Sequence, residues 1–139
     1  MCEAFTGLMP LEALCEEVIP ARGGWLPLTA RPVLAITGVE AVTQDGARSD
    51  LAASDYEFDL DAEGGGRLRL FNRGNATNLA VRFIAGLAPG WTSLPEPLRH
   101  GIMRLAAHQH RERESSGAAP QPPAAVAALW QPWRRMRLA

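Results

Sequence analysis

The chain contains no lysine; all fourteen of its basic residues are arginine. Every cation is therefore a planar guanidinium, suited to stacking and to bidentate pairing. The alanine, glycine and proline content points to a GC-rich genome as the origin of that bias. Excess charge of either sign is also missing. A formal net charge of −1 over 139 residues excludes a surface that grips nucleic acid all over. There are only two cysteines, Cys2 and Cys15, with no CxxC, and from them neither a disulfide nor a compartment follows. No apolar run approaches the ~20 residues of a membrane span. The N-terminus lacks the basic stretch and apolar run of a signal peptide. A soluble intracellular protein with no membrane partner is the default expectation.

Catalytic patterns are absent as well. Gly64-Gly65-Gly66 has no GK[ST] continuation and leads into a strand pattern, so it is no phosphate loop. No Gly-x-Ser-x-Gly, His-Glu-x-x-His or Cys–His pairing occurs. The expectation is a protein that is not an enzyme, with no catalytic residues, no cofactor and no metal. The three histidines are His100, His108 and His110. His100 and His108 share a helix face with Arg104 between them, which opposes a dication, and no carboxylate or cysteine converges there. A solvated or interface helix face is the better reading.

What is present is a single domain's worth of sequence, 47% hydrophobic and 21% charged, enough for a packed core. Met1 to Gly7 reads as the last turns of a helix stopped by glycine, implying N-terminal helices that are truncated or missing upstream. Residues 11–19 are strand or helix, bracketed at strand length by Pro10 and Pro20. An extended passage with Trp25 and Pro27 follows, then a strand over Val33–Val42 and an Asp45-Gly46 turn. Residues 54–60 alternate, with Tyr56, Phe58 and Leu60 on one face and the acidic Asp55, Glu57, Asp59 and Asp61 on the solvent face. Further strands are expected over 67–71 and 79–84. A helix starts near Pro95-Glu96-Pro97, with Leu98, Ile102, Leu105 and Ala106 at helical spacing to about Arg113. The expected fold class is α+β: a small antiparallel sheet or meander, a following helix, a Pro-rich linker and a C-terminal helical tail. The expected organisation is a domain over 1–114, a linker over 115–123 and a docking tail over 124–139.

The tail is the most informative segment. Chain ends usually fray and are polar, yet this one carries Trp130, Trp133, Arg134, Arg135 and Arg137 with no acidic group. Tryptophan and arginine dominate binding hot spots. Three readings stand, in order of preference: docking on another subunit, folding back on its own domain, and contact with nucleic acid through phosphates and stacking. Three arginines would give the last only a modest counterion-release gain. Val126, Leu129, Trp130 and Trp133 fall at helical spacing and can fill an apolar groove, with the arginines at its rim.

An ordered set of short motifs carries a resemblance. It runs from Thr6-Gly7 through Trp25-Leu26-Pro27-Leu28, Arg31-Pro32-Val33, Asp45-Gly46, Ser54-Asp55-Tyr56 and Gly66-Arg67-Leu68. It continues with Val81-Arg82-Phe83-Ile84, Leu94-Pro95-Glu96-Pro97-Leu98, His108 with Arg111-Glu112, and the closing Pro122 to Arg134. Together these resemble the head–tail connector (adaptor) proteins of long-tailed phages and of phage-derived gene transfer agents, over nearly the whole chain. The resemblance implies a homo-oligomeric ring, expected to be a dodecamer, in the neck of a virion or virus-like particle. Its implied partners are the portal protein, a stopper or tail-completion protein, and double-stranded DNA that passes the channel without tight binding. It implies portal contact through Val126, Leu129, Trp130, Trp133, Arg134, Arg135, Met136, Arg137 and Leu138. The rival expectation is a nucleic-acid-binding module using the Arg/Trp tail.

Overall fold

The computed structural model describes residues 1–111 and 121–134. The chain divides into two compact units: residues 12–86, and residues 1–11 together with 87–139. This division differs from the expected one at 114 and 123, because the segment after the linker packs on the helix before it. Together the two units make an α+β protein.

Residues 12–86 are all β. The strands are β1 (Ala13–Pro20), β2 (Trp25–Pro27), β3 (Val33–Val42), β4 (Arg48–Asp50), β5 (Tyr56–Leu60), β6 (Gly66–Leu70) and β7 (Asn78–Ala85). They form a four-stranded sheet in the order β1-β7-β3-β4 and a three-stranded sheet in the order β2-β6-β5, antiparallel throughout. A simple meander would place β7 at an edge; instead it lies between β1 and β3. Leu79, Val81, Phe83 and Ala85, which share one face of the strand, are all fully buried, whereas Arg82 and Ile84 on the other face are only half-buried. β1, an edge strand, is more open: its even-numbered residues are exposed and Cys15, Glu17 and Ile19 are half-buried. The Glu17 carboxylate accepts backbone N–H bonds from Thr29 and Ala30 at 2.8–3.0 Å, which fixes the extended passage after β2. Leu68, at the centre of β6, is fully buried. Phe58 lies opposite it in register but is 49% exposed, so the inward face expected for β5 is only partly covered.

The other unit is helical. Its helix α1 (Cys2–Thr6) ends at Gly7, whose φ of 74° is left-handed, a conformation that glycine adopts without a Cβ penalty. The Thr6 hydroxyl donates to the Cys2 carbonyl at 2.9 Å. A 3₁₀ turn over Trp91–Ser93 leads to helix α2 (Glu96–Arg111). Glu96 in its first turn and Arg111 in its last complement the helix dipole. Its buried stripe is Leu98, Gly101 and Leu105, with Ile102 packed alongside; Ala106, expected inside, is exposed. Helix α3 (Ala124–Trp130) and a 3₁₀ turn over Gln131–Trp133 complete the described residues.

Candidate docking segment and charged sheet faces

A seven-residue helix is too short to hold itself together in water, so α3 depends on what it packs against. It starts after Pro123, whose carbonyl accepts from Val126 and Ala127 N–H at 2.8 and 2.9 Å. Val126 and Trp130, one turn apart, are 2% and 0% exposed. They join Cys2, Ala88, Leu94, Leu98 and Leu105 in one apolar core, with Phe5, Leu87, Ile102, Leu129 and Trp133 packed around it. The Trp130 indole N–H donates to the Leu98 carbonyl at 3.3 Å, satisfying a buried polar group. Its ring lies 6.0 Å from that of Phe5, tilted by 50°, within the favourable range for aromatic pairs.

Gly101 makes this seat possible. A Cβ there would stand 2.7 Å from Trp130 Cε2 and 2.8 Å from Cδ1, inside the van der Waals contact of carbon atoms. Gly101, Phe5 and the Leu98 carbonyl are the site residues that reading the sequence missed. A glycine in the middle of a helix, where it costs stability, is the signal that could have found the first of them.

The docking residues expected from the sequence thus separate. Val126 and Trp130 are core residues of the chain's own helical unit, buried because their spacing faces α2. Leu129 and Trp133 are half-buried and Arg134 is exposed, with its guanidinium 5.3 Å from the centre of the Phe5 ring. Arg135, Met136, Arg137 and Leu138 lie outside the described residues, as do Glu112, Arg113 and Glu114 and most of the linker.

The acidic solvent face expected on β5 is there, and β6 answers it. Asp59 pairs with Arg67 at 2.6 Å and Glu57 with Arg69 at 3.6 Å, each a direct cross-strand neighbour. Arg67 also stacks over Trp25 at 4.8 Å. On the four-stranded sheet, Arg48 bridges Glu16 at 3.0 Å and Glu40 at 3.4 Å, and Glu40 also binds Arg82. Glu16, first, and then Glu40 hold the Arg48 guanidinium above its usual pKa. The Thr43 hydroxyl and backbone N–H groups lower that of Asp45, while burial raises that of the Cys2 thiol. Among the described residues no cluster of three or more His, Cys, Asp or Glu side chains can hold a metal. No described helix is long and apolar enough to cross a membrane.

No protein-family model matches the chain, and no curated protein matches it. Solved structures do. A chain from the neck of a native gene transfer agent particle, reconstructed with twelvefold symmetry, superposes with a TM-score of 0.78 at 25% identity, covering 99% of this chain and 78% of that one. This chain has the fold of a gene transfer agent neck protein. A chain from the neck of the empty particle, reconstructed with sixfold symmetry, gives 0.75 at 24% identity over 99% of this chain and 73% of that one. A chain of the native virion gives the same figures. The resemblance to head–tail connectors drawn from short motifs is thus met by the fold.

Proposed function

We propose that this chain is a non-enzymatic structural adaptor in the neck of a phage-like particle. Copies form a ring, twelve in number, beneath the portal; the ring extends the DNA channel and presents a surface to the stopper or tail. The observation that carries this reading is the match over 99% of the chain to a neck chain in a twelvefold-symmetric assembly.

Portal attachment belongs to the C-terminal segment, with its parts divided. Val126 and Trp130 hold α3 in the subunit's own core. The half-exposed Leu129 and Trp133, with Arg134, Arg135, Met136, Arg137 and Leu138, make the contact. Deleting residues 124–139 would remove part of the core as well as the anchor. The informative truncation therefore ends at Arg134, combined in a second variant with Leu129→Ala and Trp133→Ala. The truncated chain should purify folded, the second variant folded with a lower unfolding midpoint because Leu129 and Trp133 pack on the helical core, and both should fail to associate with portal-bearing heads. Recruitment at wild-type occupancy would contradict the assignment.

The nucleic-acid-binding alternative is weaker. Trp130 has no free face on which a base could stack, and residues 12–86 carry eleven carboxylates against seven arginines. A channel wall also has to let DNA slide. Submicromolar DNA affinity at physiological salt would overturn this and favour the alternative.

A further inference from the structure

The net charge of −1 conceals a division. Residues 12–86 hold eleven acidic residues and seven arginines, whereas residues 1–11 with 87–139 hold four acidic residues and seven arginines. The β unit is thus anionic by four and the helical unit cationic by three.

Each unit also leaves one face uncovered. On the four-stranded sheet, cross-strand register places Leu14, Ile84 and Ala35 in one row and Glu16, Arg82 and Gly38 in the next; Val18, Ala80 and Glu40 form the third. Leu14 is 70% and Val18 54% exposed, on an edge strand, where open apolar surface invites a partner. Arg48 and Arg82 are engaged by Glu16 and Glu40 on this face. Asp50, beside Glu40 in register, is exposed and adds negative charge. On α2, the side opposite the buried stripe carries His100, Met103, Arg104, Ala107 and Arg111, all exposed. Arg104 and Arg111 have no carboxylate partner among the described residues. A sixteen-residue helix is about 24 Å long. The eight-residue strands β1 and β7 run about 27 Å, so the two faces match in length as well as in sign.

We infer that α2 of one copy packs on the open face of the four-stranded sheet of the next copy. This rests on the ring reading above and specifies its contact. Met103 and Ala107 meet the Leu14 and Val18 rows, and Arg104 and Arg111 meet Asp50, the one carboxylate by which this face exceeds its arginines. The opposite signs of the two faces suit a second copy of this chain as the partner. In the ring proposed above each copy gives α2 to one neighbour and its sheet to the other, a head-to-tail contact that repeats and closes.

A photo-crosslinking amino acid placed at position 103, and in a second variant at position 14, tests the contact in assembled particles that carry the variant as their only source of this chain. Both positions are exposed, so folding is spared. Irradiation should give a covalent dimer of this chain from each variant. Peptide mapping should join position 103 to residues 12–20 or 34–42, and position 14 to residues 96–111. Variant chains present in the neck that cross-link only to other proteins, to other segments, or not at all would overturn the proposed contact and leave the ring reading standing. Absence of the chain from particles would overturn the ring reading itself, and this contact with it.

Discussion

The two compact units bury their apolar residues by different means. In the β unit, coverage is distributed: β7 is flanked by a strand on each side, and Leu79, Val81 and Phe83 share one buried face. Helix α3, by contrast, is held mainly by one large side chain, Trp130, seated over a glycine and capped by a backbone carbonyl. Distributed packing loses a little with each change. A core organised around one tryptophan loses most of its order when that residue goes. The comparison also bears on function, because two of the residues that look like an external anchor, Val126 and Trp130, are spent inside the subunit.

The largest effect should come from Trp130→Ala. Removing a fully buried tryptophan costs about 3–5 kcal/mol, and α3 is too short to persist without it. Hydrogen exchange should show α3 and the facing side of α2 losing protection while β1, β3 and β7 keep theirs. Equal loss in both units would break the comparison. Next is Gly101→Ala, expected to cost about 1–3 kcal/mol by overpacking and read out as a lower unfolding midpoint. A neutral result would mean that the indole can shift away at no cost.

In the β unit, Glu40→Gln weakens the partner of both Arg48 and Arg82, the latter with a buried Nε lacking a hydrogen bond. The expected loss is about 1–3 kcal/mol, without loss of the sheet. The smallest effect belongs to Arg134→Ala, which removes an exposed cation–π contact with Phe5 and should cost no more than about 1 kcal/mol. Thiol labelling gives an independent check. Cys2 is buried and its thiol is held protonated by that burial, so it should react with alkylating reagents only on unfolding, while the half-exposed Cys15 should react in the native state.

Much of this fold was legible in the sequence, for physical reasons. The strand over Val33–Val42 appears at its expected limits, because five β-branched residues, Val33, Ile36, Thr37, Val39 and Val42, lie between Pro32 and the turn at Asp45-Gly46. Gly7 stops α1 as read, and Pro95-Glu96-Pro97 opens α2 where the missing N–H of proline is tolerated. The short β4 was not legible, since Arg48-Ser49-Asp50 has no apolar periodicity and is a strand only by pairing with β3. The split into two sheets and the place of β7 depend on long-range pairing, which local pattern does not encode. At the candidate site, spacing identified α3 and its apolar stripe. It could not say whether that stripe faces another subunit or its own, because the deciding feature is the space left by Gly101 in a different helix. The alternating Asp and Glu of β5 share one face as read, but Glu57 and Asp59 are half-exposed there, less open than Phe58 on the face expected to point inward. Their neutralisation by Arg67 and Arg69 required the register.

The central claim is that this chain is a ring-forming structural subunit of a particle neck. A cryo-EM reconstruction of particles carrying it, refined at the portal vertex without imposed symmetry, tests that most directly. The account predicts twelve copies of this two-unit fold in a closed ring between portal and tail. A single copy at the vertex, or a neck in which the fold is absent, would contradict it.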